Sequence, residues 1–163
     1  MKTFFTSKNI GCLVVAIIAL VVIWICVSKV NTFERKIGRW IDRECVDPKE
    51  CVVRITDLTE FDWDEMYVFD SGYTTEGIEK ALGTKISTNN DAKRKIVFLK
   101  NKRIVLYEEL KKNIEHYVDK EVVFKHDTQT NYDLFTPETA IFVATKHESG
   151  AGRYYQLIMK TSD

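Results

Sequence analysis

One uncharged apolar stretch, residues 10–28, constrains this chain more than any other part of its sequence. Lys8 and Lys29 border it. A helix rises about 1.5 Å per residue, so this stretch would extend for about 30 Å, the thickness of a bilayer's hydrocarbon core. A helix satisfies its own backbone hydrogen bonds, which that core requires. The sequence therefore predicts one transmembrane helix. We expect it to remain uncleaved, because the run is longer than a signal peptide's apolar region and no Ala-x-Ala site follows.

This anchor divides the chain into four predicted parts. Residues 1–9 form a short basic tail, 10–28 the transmembrane anchor, 29–46 a juxtamembrane amphipathic helix and 47–163 a folded domain. The apolar residues of the amphipathic helix recur at helical spacing, and they are Phe33, Ile37, Trp40 and Ile41. This helix could lie on anionic headgroups or pack as a stalk against the domain. The remaining length suits one domain with a real core.

The charge balance argues against nucleic acid as a partner. The chain has 24 basic and 24 acidic residues, and its formal net charge is zero. Lys2 and Lys8 are the only charged residues before Lys29, so the rest of the chain is slightly acidic. A general nucleic-acid binder needs a basic excess to displace counterions. We expect a membrane and a protein or envelope component as partners.

The orientation of the predicted anchor depends on two conflicting signals. Lysine and arginine are more frequent after the apolar stretch than before it, which favours a cytoplasmic domain. Cys45 and Cys51 flank a proline turn, and their spacing could close a disulfide that persists only in an oxidising compartment. The alternative is two unrelated thiols. The short basic N-terminus resembles that of an exported chain, so we favour an extracytoplasmic domain on a single-pass cell-membrane protein.

The pattern after residue 50 predicts an α+β fold with a mostly antiparallel sheet and one or two short helices. Two hairpins are indicated, over residues 95–107 and 140–160, and residues 61–69 read as a further strand. Residues 74–82 suit a short helix that a threonine caps and Gly83 ends. Residues 126–137 are polar and are expected to form a loop.

The candidate binding surface lies on the strand predicted over residues 61–69. Asp62, Trp63, Asp64 and Tyr67 are its members. Alternate carboxylates could hold a hard cation or act as an acid–base pair, but we favour the simpler explanation of a solvated strand face or of ion pairs to the basic hairpin of residues 93–103. The three histidines have no metal-ligand spacing. The sequence therefore predicts no catalytic residue, no metal and no cofactor.

Residues 61–83 also resemble a known pattern. Phe-x-Trp-Asp-x-Met-Tyr-x-Phe begins at Phe61, Tyr73-Thr74 follows, and a short helix ends in Leu82-Gly83. This pattern is similar to one in small bacterial exported proteins and lipoproteins of unknown function, and the resemblance extends to residue 107. In those proteins a turn with proline often precedes the Tyr-Thr pair, where this chain has Asp-Ser-Gly. The resemblance implies export and membrane attachment, and it implies no activity.

These observations favour a non-enzymatic binding module that faces outward from a bacterial envelope. An immunity or inhibitor protein would be one form of it. One alternative is a metal- or acid/base-dependent hydrolase working at Asp62 and Asp64. Another is a structural subunit of a membrane complex, with residues 10–28 as a packing helix.

Overall fold

The computed structural model describes residues 15, 17–19, 32–45, 51–87, 93–110, 120–125, 132–149 and 152–160. The chain forms two compact units, Met1–Thr32 and Phe33–Asp163. In the first unit, Val15, Ile17, Ile18 and Ala19 are helical and exposed, and Thr32 is non-helical and partly buried.

Strands dominate the described part of the second unit. Its helices are α1 (Phe33–Glu44) and α2 (Thr75–Leu82), with a single 3₁₀ turn at Ile55–Asp57. Its strands are β1 (Val52–Arg54), β2 (Glu65–Phe69), β3 (Lys95–Lys100), β4 (Arg103–Glu109), β5 (Glu121–Lys125), β6 (Tyr132–Phe135), β7 (Ile141–Ser149) and β8 (Gly152–Met159).

These strands form two four-stranded sheets. The first sheet has the order β1-β7-β8-β5 and the second has the order β4-β3-β2-β6. Neighbouring strands are antiparallel except for β5 and β8, which run parallel. A buried ion pair connects the two sheets, since Arg94 precedes β3, Glu121 begins β5, and their side chains are 3.3 Å apart.

The second sheet is covered on both faces, as the continuous burial of β3 shows. Ile96 and Phe98 join the larger core cluster, which also contains side chains of α1 and of the first sheet. Val97 and Leu99 join a smaller cluster with α2. The second sheet therefore lies between α2 on one side and α1 with the first sheet on the other. This arrangement explains why β3 is a continuous apolar run rather than an alternating one.

Helix α1 is a core element because its apolar stripe is buried. Phe33, Ile37 and Ile41 are at most 6% exposed. Gly38 allows the Tyr155 ring of β8 to approach closely, since a β-carbon at Gly38 would lie 3.0 Å from that ring. Among the two alternatives for this segment, the structure places the helix against the domain.

Both ends of α1 are also fixed by polar contacts. At its start, the Glu108 carboxylate on β4 accepts hydrogen bonds from the backbone N–H groups of Phe33, at 2.6 Å, and Glu34, at 3.1 Å. Burial raises the pKa of the Glu108 carboxyl, and these two hydrogen bonds only partly offset it. Near the helix end, Asp42 accepts a hydrogen bond from the Tyr155 hydroxyl at 2.6 Å. These contacts join the helix to both sheets.

Two local predictions are confirmed. The Thr74 side chain accepts a hydrogen bond from the Gly77 N–H and begins α2, and Gly83 ends it with a φ of 66°. The hairpin of residues 95–107 is present as β3 and β4. Its turn residues Asn101 and Lys102 have positive φ angles of 50° and 59°, the geometry that matches the twist of a tight hairpin.

The predicted α+β class is wrong, because the described residues form mostly sheet. Residues 126–137 were expected to be a loop, yet Tyr132–Phe135 is β6 and pairs with β2 along its length. The strands also divide into two sheets, because β1 pairs with the distant β7 instead of with β2. A second short helix is indicated by the helical spacing of Leu110, Ile114, Tyr117 and Val118, and this segment lies almost entirely outside the described residues.

The predicted transmembrane helix and signal anchor are also contradicted. Among the described residues, no helix is long and apolar enough to cross a membrane. Of residues 10–28, the structure describes Val15, Ile17, Ile18 and Ala19, and the others lie outside the described part. A crossing needs about 20 consecutive apolar helical residues, and hydropathy alone reports only the composition of the stretch.

Candidate functional site

The four residues predicted to form a binding surface do not share one surface. Trp63 is 5% exposed and belongs to the larger core cluster, while Tyr67 belongs to the smaller cluster on the other side of the second sheet. The Trp63 Nε1 donates a hydrogen bond to the Thr59 hydroxyl at 3.1 Å. The predicted surface assumed a strand from residue 61, but β2 begins only at Glu65.

Asp64 holds the β3–β4 hairpin in place. Its carboxylate accepts hydrogen bonds from the Lys100 ammonium and from the Asn101 backbone N–H, each at 2.7 Å. The Asn101 hydrogen bond, followed by that of Lys100, lowers the pKa of the Asp64 carboxyl. Asp64 is therefore an ionised hydrogen-bond acceptor at neutral pH, and Asp62 beside it is exposed.

Of the two alternatives for Cys45 and Cys51, the structure has the disulfide that their spacing allows. The two α-carbons are 5.3 Å apart. The bond joins the residue after α1 to the residue before β1. It therefore closes a short loop between the buried helix and the edge strand of the first sheet.

Metal-ligating groups do not converge within the part of the chain that the structure describes. In that part, no group of three or more histidine, cysteine, aspartate or glutamate side chains could hold a metal ion. His147 has its Nε2 3.0 Å from the Thr145 hydroxyl, and its ring stacks on Tyr154. His116 and His126 lie outside the described residues.

Aromatic side chains gather at the β2–β6 end of the second sheet. We call this surface the tyrosine face, and its members are Tyr67, Phe69, Tyr73, Tyr132 and Leu134. Tyr132 has its ring 6.1 Å from that of Tyr67, 5.4 Å from that of Phe69 and 5.8 Å from that of Tyr73. Phe69 also stacks on Tyr73 and on Tyr67, at 5.6 and 5.7 Å.

Strand register explains why these side chains meet. Tyr67 pairs with Leu134 and Phe69 pairs with Tyr132. Directly paired residues share a sheet face, and alternate residues of one strand do too. Ile78 and Leu82 of α2 pack in the same cluster and are buried. At the β6 edge, by contrast, Leu134 is 50% exposed, and Tyr73 and Tyr132 are partly exposed.

The Tyr67 hydroxyl is fixed as a neutral hydrogen-bond donor. It donates to the Glu65 carboxylate at 3.1 Å. Burial, followed by the negative charge of Glu65, raises the pKa of Tyr67 to about 12. At neutral pH the phenol is therefore protonated, and it orients the carboxylate next to the aromatic rings.

The segments that build the tyrosine face are acidic. Residues 61–79 contain six aspartates and glutamates, and residues 126–140 contain three, with no lysine or arginine in either segment. Glu65 on β2 and the exposed Glu138 after β6 are among them, whereas Asp133 on β6 pairs with Val68 and lies on the other face of the sheet. The neighbouring hairpin is the opposite, since residues 93–103 contain six basic and no acidic residues.

Tyr132 and Leu134 were absent from the predicted site, although Tyr67 was included. They lie in the segment that was predicted to be a loop. The available signal is the short run Tyr132-Asp133-Leu134-Phe135, whose aromatic residues favour a strand. The polar residues before and after it make that signal weak.

Comparison of the chain with models of protein families, with curated proteins and with solved structures found no match. The resemblance to small exported proteins and lipoproteins therefore stays a prediction. The tyrosine face and the disulfide are the structural features that bear on function.

Proposed function

We propose that this chain is a non-enzymatic binding module that recognises another protein through the tyrosine face. The observation that carries the proposal is the exposure of Leu134 beside partly exposed tyrosine rings. Tyrosine supplies a large apolar contact area with a polar end, and it is enriched where proteins bind one another. The face joins such rings to an accessible aliphatic side chain at one edge of a rigid sheet.

The disulfide supports a location outside the reducing cytoplasm. Disulfides persist in oxidising compartments and are rare in cytosolic proteins. Cys45 and Cys51 are bonded, so we propose that the domain works in an extracytoplasmic compartment. The proposal does not depend on how the N-terminal unit is held.

The hydrolase alternative has less support. Both Asp64 oxygens accept hydrogen bonds from the hairpin, and this bonding explains the position of the residue without chemistry. His147 lies on β7 in the first sheet, whereas Asp64 precedes β2 in the second. We therefore favour the binding role.

Site-specific photo-crosslinking in the cell of origin tests the proposal. A photo-reactive residue replaces Leu134 in one variant and Val105 in a second variant. Val105 is the matched control because it is also apolar and exposed, at 42%, but it lies on β4 at the opposite edge of the same sheet. We expect a discrete protein adduct from position 134 and none from position 105. Adducts from position 105 alone, or from neither position, would contradict the proposal.

A further inference from the structure

We infer that the tyrosine face binds a cationic segment of its partner protein, in which lysine or arginine side chains accompany apolar ones. This inference rests on the proposed binding function and specifies the chemistry of the partner. Its basis is the combination of exposed apolar surface, aromatic rings and acidic side chains at one edge of the second sheet.

The apolar part of the surface requires an apolar contact. Leu134 is half exposed, and the ring of Tyr132 beside it contacts three other aromatic rings. Those contacts hold the rings in place before a partner arrives. Binding to a preorganised surface loses less conformational entropy than binding to a mobile one.

The charged part of the surface selects a cation. Leu134 pairs with Tyr67, and Glu65 lies two residues before Tyr67 on β2, so its side chain is on the same face of the sheet. The Glu65 carboxylate accepts a hydrogen bond from the Tyr67 hydroxyl. Glu138 is exposed three residues after the end of β6, and its carboxylate accepts a hydrogen bond from the Thr136 hydroxyl at 2.7 Å. Complementary charge across an interface increases the association rate and rejects partners of the wrong sign. Aromatic faces also attract lysine and arginine through their π electrons.

The basic hairpin of a second copy is a less suitable partner, because most of its charge is used within the chain. Lys93 contacts Glu109 at 2.9 Å, and Arg94 contacts Glu121 at 3.3 Å. Lys95 is fully buried and donates to the Lys93 carbonyl oxygen, and Lys100 contacts Asp64. We therefore assign the face to a different protein.

Peptide binding by the full chain tests the inference. The probe is a short fluorescent peptide of lysine, leucine and serine, and its control has glutamate in place of each lysine. We expect saturable binding of the lysine peptide alone, weakened by added salt because exposed charges are screened. Glu65→Gln combined with Glu138→Gln should weaken it about tenfold, and Leu134→Ser by a similar factor.

Two control variants show whether such losses are local. Val105→Ser removes an exposed apolar residue from the opposite edge of the sheet, and Glu44→Gln removes an exposed carboxylate at the end of α1. Both should bind the lysine peptide as the original chain does. Equal binding of the two peptides, or equal losses in the control variants, would overturn the inference.

The two proposals fail differently. If position 134 crosslinks a protein but the peptides are not distinguished by charge, the binding function stands and the cationic partner is wrong. If position 134 crosslinks nothing, the function itself is wrong. Sedimentation of the chain alone adds a third outcome, because self-association abolished by the paired glutamate substitutions would assign the face to a second copy and overturn the inference.

Discussion

The two ends of the second sheet carry opposite charge and use it in different ways. At the β3–β4 end, lysine and arginine side chains contact carboxylates from other parts of the chain, as Arg94 does with Glu121 and Lys100 with Asp64. At the β2–β6 end, carboxylates accompany tyrosines and an exposed leucine. The more highly charged segment, the β3–β4 hairpin, therefore need not be the binding surface. Charge used in internal contacts stabilises the fold, and charge beside exposed apolar groups can select a partner.

The largest expected effect is the difference in the free energy of unfolding between a variant in the core of the sheet and a variant at its β6 edge. Phe98 is fully buried and its ring contacts those of Phe33, Phe61 and Trp63. Phe98→Ala should lower the free energy of unfolding by about 3–5 kcal/mol, because it leaves a cavity. Leu134→Ala should change it by less than about 0.5 kcal/mol, as is usual for exposed positions. Denaturant unfolding measures both, and a similar loss in the two variants would mean that Leu134 is structural.

A smaller loss of stability is expected when the contact between Glu108 on β4 and the start of α1 is removed. Glu108→Ala should cost about 2 kcal/mol, because the N–H groups of Phe33 and Glu34 lose a partly buried acceptor. Glu108→Gln keeps an oxygen acceptor and should lose less stability. Thermal and denaturant unfolding of the two variants give the ranking. If the alanine variant were as stable as the original chain, Glu108 would not contribute to holding the helix in place.

Helix α2, which covers the buried part of the tyrosine face, should respond to its N-terminal cap. Thr74→Ala removes the oxygen that accepts the Gly77 N–H and should cost about 1 kcal/mol. Thr74→Ser keeps the hydroxyl and is the matched control. Hydrogen exchange of the α2 amides measures the effect locally. If these amides were equally protected in the two variants, packing alone would hold the helix.

The smallest effect concerns the contact between the acidic segment and the basic hairpin. The pKa of Asp64 is lowered in the folded chain, so its contribution to stability is present above about pH 4 and is lost as the pH falls further. Asp64→Asn should therefore have a lower melting temperature at neutral pH, with a difference that shrinks in acid. Asp62→Asn removes a neighbouring exposed carboxylate and is the control. A difference that is constant with pH would contradict the assigned role of the Asp64 charge.

Local signals in the sequence were sufficient for local structure. Thr74 begins α2 and Gly83 ends it, Asn101 lies in the hairpin turn, and Cys45 and Cys51 form a disulfide. Each depends on residues close together in the chain, such as a cap, a left-handed turn position or a short loop.

The remaining features depend on distant parts of the chain. The pairing of β6 with β2 turns a polar segment into an edge strand and brings Tyr132 to Tyr67. Trp63 and Tyr67 were assigned to one surface because a continuous strand was assumed, and the late start of β2 separates them. The apolar character of residues 10–28 predicted a membrane crossing. Hydropathy shows only that a segment is apolar enough to be buried, and the described residues contain no helix long and apolar enough to cross a membrane.

The contact between α1 and β8 also determines when this domain can be completed during synthesis. Tyr155 of β8 bonds to Asp42 of α1 across 113 positions, and β8 lies between β7 and β5 in the first sheet. The β3–β4 hairpin can form while the chain is still growing, because its contacts are local. Helix α1 must wait until β8 has been made before its partner Tyr155 exists. A nascent chain would therefore leave Phe33, Ile37 and Ile41 incompletely covered until β8 has been made, and a chaperone that protects such surfaces would matter most at that stage.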